Sequence, residues 1–320
     1  MGKIQFDVLN IDNNVGNTGI PDINFDPSNI EAVILTRRGD VITKTQALTL
    51  QSYVAGKLAH DDPNQRWYMI KRFEGCEDKK TEGVYTESPY GVRRKVRNGK
   101  YGWRWEYKDG ALDLHKQISK FDRKQNLFDA ILVDPVNNIL WCTSTGTSAK
   151  GFRLDLIDVP NFDSNNGQET SKYYFELALA DEKEINLRTR VVALPDDFNV
   201  VEDFNSLIQL EMTVETPMDA TGLVSLGYKG GKANLYDEYS AVLDEITLYT
   251  ATVSDTGDGL DIDSVAANAA TKCIDLQLDA TDPDFPASGT NIRIGFGPVS
   301  AIETEGMPGY SEAYVITELG

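Results

Sequence analysis

The sequence predicts a mainly β chain: a β-rich domain with one or two helices, followed by an acidic β-sandwich of Ig-like type. Three observations carry this. Short apolar segments recur between turns rich in Gly, Pro, Asn and Asp, the spacing of strands rather than of long helices. The clearest of them alternates Tyr101, Trp103, Trp105 and Tyr107 with Gly102, Arg104, Glu106 and Lys108, the period of two of a strand with one aromatic and one polar face. The charge is also divided. Residues 1–195 hold 27 basic and 27 acidic residues, whereas 196–320 hold 4 basic (Lys229, Lys232, Lys272, Arg293) and 23 acidic, so the whole net charge of −19 sits in the C-terminal part. With 320 residues, 41% of them apolar, the chain can bury two cores of ordinary size. The predicted organisation is an extended arm over 1–30, a β-rich assembly domain over 31–200 and an acidic sandwich over 201–320.

Taken in order, residues 1–30 are dominated by Asn, Asp, Gly and Pro, with strand character only at 4–8, and read as an extended arm, ordered by a neighbour or not at all. Residues 31–36 read as a buried strand that turns at Arg37–Asp40. A helix follows, capped by Thr43 or Thr45, with Ala47, Leu50, Val54 and Leu58 on one face. Residues 66–73 form a strand, and the polar stretch 74–99, too long for a tight turn, reads as a functional or assembly loop. After the aromatic strand comes a helix over 111–121 with Leu114, Ile118 and Phe121 on one side. Strands follow at 129–134, 139–142, 150–159 and 171–179, the last two joined through an Asn165-Asn166-Gly167 turn. Residues 181–205 read as a transition. Beyond it, strands are expected at 207–215, 222–227, 241–253, 273–279, 291–296 and 312–318, with a small helix over 264–270 capped by Asp263.

Composition and motifs exclude most chemistry. No apolar run reaches the roughly 20 residues that span a bilayer, and the first residues lack the pattern of a secretory signal. Cys76, Cys142 and Cys273 are odd in number and far apart, so they read as free thiols. His60 and His115 stand in no metal spacing and beside no nucleophile. Neither 146–151 (GTSAKG) nor 227–233 (GYKGGKA) completes a phosphate loop, and no Gly-x-Ser-x-Gly exists. Arg38-Gly39-Asp40 reads as a turn. The chain is expected to be no enzyme and to carry no cofactor. Calcium is the one metal considered: Asp258, Asp261 and Asp263 lie in an Asp-rich run that can offer oxygens, though without EF-hand spacing.

The positive feature is residues 93–108, where Arg93, Arg94, Lys95, Arg97, Lys100, Arg104 and Lys108 stand against the single acid Glu106. Arg93, Arg94, Lys95, Arg97, Trp103 and Trp105 are the interface candidates. Basic residues interleaved with aromatics fit single-stranded nucleic acid, but Glu74, Glu77, Asp78, Glu82 and Glu87 offset them, and sequence-specific nucleic-acid binding is not expected. The acidic domain of a neighbouring copy is the complementary partner.

The order of basic stretch, aromatic strand (YGWRWEY), short helix (LDLHKQISKF), strand and turn (ILVDPVNNILWCTS), then Gly146-Thr147 and Lys150-Gly151-Phe152, resembles virion structural proteins of tailed bacteriophages infecting Bacteroidota, including crAss-like phages. Those proteins tend to carry an LDLHK-type helix and a "D.NGNIWGT..GTK.KGF"-like run. The resemblance spans about residues 65–190, with Pro135-Val136 and Cys142 departing from the pattern. It implies a tail-tube-like β-barrel or sandwich, a homo-oligomer closing into a ring (six-membered rings included), other virion proteins as partners, no membrane, and a place in the virion after synthesis in the host cytoplasm. The acidic sandwich is then an outward decoration domain. Two alternatives stand beside it: a head fibre or capsid decoration protein, and a carbohydrate-binding or adhesin module presenting Trp103/Trp105 or Tyr236/Tyr239 to glycans.

Overall fold

The structure is a computed structural model. It describes residues 29–320 apart from 88, 92, 108–110, 137–138, 146–147, 164–171, 195–199, 205–206 and 231–232. The expected arm, save its last two residues, and the Asn165-Asn166-Gly167 turn lie outside the described residues. The chain is mainly β and divides into two compact units, one running to Asn205 and the other covering Ser206–Gly320 together with Ala59–Pro63. Moving the boundary from 195 to 205 leaves 27 basic and 31 acidic residues before it and 4 basic and 19 acidic after it, so the charge contrast survives.

The first unit contains β1 (Ala32–Arg37), β2 (Val41–Ile42), α1 (Lys44–Leu48), α2 (Leu50–Leu58), β3 (Tyr68–Lys71), β4 (Gly75–Asp78), β5 (Val84–Glu87), β6 (Arg93–Arg97), β7 (Gly102–Tyr107), α3 (Ala111–Ser119), β8 (Phe128–Asp134), β9 (Ile139–Ser144), β10 (Ala149–Lys150), β11 (Phe152–Asp158), β12 (Tyr173–Leu179), α4 (Glu182–Asn186), β13 (Thr189–Ala193) and α5 (Val200–Asp203). Eleven strands form one sheet along the path β2-β10-β9-β8-β11-β12-β7-β4, with β1 on β8, β3 on β1 and β13 on β9. Of the two forms expected of this unit, no barrel closes among the described residues; the sheet is open.

Burial on both faces explains the continuous apolar runs of β1 and β8. Val33, Leu35, Phe128, Ala130 and Leu132 face a core that holds Trp103, Trp105, Phe152 and Phe175. The alternate residues Ala32, Ile34, Ile131 and Val133 face a second core beneath α2. The helical stripe is as expected, with Ala47, Leu50, Val54 and Leu58 all buried. Thr43 starts it through a capping box: Gln46 N–H donates to Thr43 Oγ1, and Thr43 N–H donates to Gln46 Oε1. The helix is broken at Thr49 into α1 and α2.

Gly151 marks a close approach. A Cβ there would lie 2.9 Å from Ala130 N, Asp129 Cβ and Thr36 Oγ1. Beneath it Asp129 is buried; its Oδ2 accepts from Gly39 N–H at 3.2 Å and its Oδ1 has no partner. Burial raises the Asp129 carboxyl above its ordinary value of 3.8, against the opposing pull of Gly39 N–H and Lys150. A raised folded value means that protonated Asp129 favours the fold. That contribution is fully present below about pH 3.8 and is lost as pH rises through the raised value. Asp129→Asn removes the titration, so the stability of the variant relative to wild type is expected to improve between about pH 4 and about pH 7 in urea denaturation. A pH-independent difference would show that Asp129 does not carry it.

The second unit is a two-sheet sandwich. It contains β14 (Leu210–Thr216), β15 (Leu223–Gly230), β16 (Ala233–Asn234), α6 (Tyr236–Leu243), β17 (Tyr249–Val253), β18 (Gly259–Leu260), β19 (Ile262–Asn268), β20 (Cys273–Leu278), β21 (Asn291–Phe296), α7 (Val299–Thr304) and β22 (Ala313–Glu318). One sheet runs β14-β15-β20-β19 with β16 on β15, and the other runs β18-β17-β21-β22. Leu226, Leu276, Ile294 and Phe296 from the two sheets meet in one core, as in sandwiches generally. Two expectations fail here. Residues 264–270 are no helix: Ser264 to Asn268 pair with Gln277 to Cys273 as edge strand β19. Residues 241–253 begin as the end of α6, and only Tyr249–Val253 is strand.

Candidate functional site

The stretch 74–99 is not a loop. β4 pairs with β7, Cys76 opposite Trp105 and Asp78 opposite Trp103. The ribbon continues outward as Lys79 N–H donates to Gly102 O and Thr81 N–H to Lys100 O, both at 2.9 Å. Gly99 lets the two segments of the ribbon approach closely, since a Cβ there would lie 1.8 Å from Thr81 O. Beyond this point β5 and β6 form a separate two-stranded hairpin, with Tyr85 opposite Lys95, Thr86 opposite Arg94 and Glu87 opposite Arg93. All nine strand residues are exposed, Val96 by 60% and Tyr85 by 46%.

The hairpin is cationic. Arg93 lies over the Tyr85 ring at 4.4 Å. Among the described residues, Arg93, Arg94, Lys95 and Arg97 form no ion pair. Other cations nearby are already engaged: Lys80 with Asp78 at 3.0 Å, Lys100 with Asp155 at 2.6 Å and Arg104 with Glu176 at 3.0 Å. At the hairpin base an open groove of about 570 Å³ is lined by Lys80, Tyr85, Arg93, Lys95, Lys100 and Tyr101, with Glu182 and Asn186 of α4 on its far side. Tyr101 OH donates to Asn186 Oδ1 at 2.7 Å, and Asn98 donates to Glu182. That bond, ahead of Lys183 and Lys95, holds the Glu182 carboxyl below its ordinary value.

The six interface candidates therefore separate. Arg93, Arg94, Lys95 and Arg97 share the exposed strand β6. Trp103 and Trp105 do not join them: they are 3% and 0% exposed. Trp105 packs against Phe73 at 5.2 Å and Phe175 at 6.4 Å. The aromatic face of β7 points inward because it is the face that covers the core, so neither indole offers a surface to a partner or glycan. Tyr236 is also buried, and Tyr239 is half-buried against Tyr310 at 5.7 Å.

Elsewhere the residues have structural work. His115 Nδ1 is 2.9 Å from Tyr107 OH, its ring lies 5.4 Å from Tyr173, and burial lowers its pKa. Asp40 of the Arg38-Gly39-Asp40 turn accepts from Trp67 Nε1 at 2.8 Å and pairs with Lys57. The three cysteines are free, and burial pushes the Cys142 thiol up to about 12, which keeps it protonated and inert. Asp258, Asp261 and Asp263 fall on the β17–β18 turn, the β18–β19 link and β19. Among the described residues no group of three or more His, Cys, Asp or Glu is placed to hold a metal ion. Nor is any helix among them long and apolar enough to cross a membrane.

Compared with family models, curated proteins and solved structures, the chain matches none.

Proposed function

We propose that this chain is a non-enzymatic structural subunit of a tailed-phage virion, a ring-forming tail or tail-tube component whose first unit builds the wall and whose acidic sandwich decorates it. The observation that carries the reading is the β5–β6 hairpin. A two-stranded hairpin solvated on both faces is marginal by itself, and its outer edges present unpaired backbone groups. Both costs are removed when a neighbouring subunit covers it. The resemblance of residues 65–190 to virion proteins supplies the particle, and two different surfaces meeting head to tail supply the ring.

Analytical ultracentrifugation and electron microscopy of the purified chain test this. Closed rings or short tubes are expected, dissociating as salt is raised past the range in which exposed charges interact. A strict monomer at every concentration overturns the reading.

A further inference from the structure

The wall-forming hairpin has a complementary surface on the sandwich. Asp255 and Asp258 lie on the β17–β18 turn, Asp261 joins β18 to β19, and Asp263 sits on β19; all four are exposed. The segment carrying Asp282 and Asp284 is tied to them: Asp261 N–H donates to Asp282 Oδ2 at 3.2 Å and Asp279 N–H donates to Asp261 O at 2.9 Å. Among the described residues none of these carboxylates forms an ion pair. β19 stands at the end of its sheet, hydrogen-bonded on one side only, to β20. The molecule thus has an open cationic strand, β6, and an open sheet edge, β19, with Asp261 and Asp263 at its start.

We propose that the β5–β6 hairpin of one copy receives the acidic β18–β19 edge of another copy, strand edge against strand edge. This rests on the ring-forming reading and names the two surfaces that make the ring. Pairing of β6 with a second β6 would set like charges opposite one another, which destabilises a ladder. Pairing with β19 sets Arg94, Lys95 and Arg97 near Asp261 and Asp263, so backbone bonds give affinity and charge fixes the partner. Nucleic acid is the weaker fit. Stacking on bases needs several free aromatic faces; Arg93 lies over one face of Tyr85 and Tyr101 stacks on Trp103 at 6.2 Å, which leaves Tyr90 at the tip, 93% exposed, as the open ring of the described hairpin residues. The sandwich would also repel a polyanion.

A charge swap tests it in the full chain. One variant carries Arg94→Glu, Lys95→Glu and Arg97→Glu; the other carries Asp258→Lys, Asp261→Lys and Asp263→Lys. These positions are exposed, so both chains fold, as far-UV circular dichroism checks. Each variant alone is expected to assemble at least about tenfold more weakly than wild type. An equimolar mixture recovers assembly, because each hairpin then finds an edge of opposite charge on the other variant. The neutral variants Arg94→Gln, Lys95→Gln and Arg97→Gln together flatten the salt dependence without reversing it. Wild-type-like assembly of either charge-reversed variant, or no recovery on mixing, overturns this contact while leaving the ring reading intact. Loss of oligonucleotide binding in the hairpin variant with assembly unchanged also overturns it. A monomeric wild type overturns both.

Discussion

Trp105→Ala is expected to destabilise the first unit by about 3–5 kcal/mol, the range for emptying a large aromatic site in a packed core. The ring is fully buried between Phe73, after β3, at 5.2 Å and Phe175 of β12 at 6.4 Å, which come from separate parts of the fold, with Trp103 of its own strand at 6.0 Å. Side chains held by different strands cannot all relax into one hole, so the cavity term stays large. Trp105 Nε1 is also buried without a partner, so truncation recovers part of that cost and the value falls towards the lower end of the range. Trp67, Trp103, Trp105 and Trp141 are the chain's four tryptophans and all lie in the first unit. The variant's remaining tryptophan fluorescence therefore reports that unit's unfolding directly. A midpoint shift equivalent to less than about 1 kcal/mol would mean that the aromatic face of β7 is not a core face.

That burial is only half legible in the sequence. The period of two in 101–107 defined the strand and its two faces, but not whether the aromatic face met solvent, a partner or the chain's own core. Only the pairing of β7 with β12 and β4 decides that. Residues 74–78 give no strand signal because an edge strand carrying Glu77 and Asp78 has no apolar alternation to display, charged edges being one way that sheets avoid aggregation. The β5–β6 hairpin carries a signal, Pro89-Tyr90-Gly91 between two short runs, with Gly91 at φ +74°, yet its density of charge reads as loop. Residues 264–270, SVAANAA, look helical because alanine favours helix; pairing with β20 overrides that preference, as tertiary context does for weak propensities. α6 was legible in principle. Asp237 and Glu238 lie in its first turn, where the helix dipole favours them, and Asn234 Oδ1 accepts the Tyr236 N–H. The cationic character of residues 93–97 is plain in composition, whereas the geometry of the hairpin and its groove depends on Gly99 and on α4, which no local pattern links to it.

Phe296→Ala is expected to cost the sandwich about 3–5 kcal/mol. Phe296 is 1% exposed and lies edge-on to two rings, Tyr228 at 5.4 Å and Tyr249 at 5.1 Å. Those rings are not independent. Tyr228 OH donates to Tyr249 OH at 2.7 Å, and Tyr249 OH donates to Leu243 O at 2.6 Å. The chain of bonds ties β15 to β17 and to the end of α6. Burial holds both hydroxyls protonated far above their ordinary range, so the pair stays a neutral relay and cannot ionise to refill the hole with water-solvated charge. Neither ring can move into the Phe296 site without breaking a buried hydrogen bond, each worth about 1 kcal/mol net and more when a partner is left unmet. The cavity therefore stays open, which places the effect near the top of the range. Phe296→Leu, which keeps most of the volume, is expected to cost less than about 1.5 kcal/mol. Far-UV circular dichroism in a urea series measures both variants. Equal effects of the two substitutions would show that the Phe296 site collapses freely and that the tyrosine relay does not hold it open.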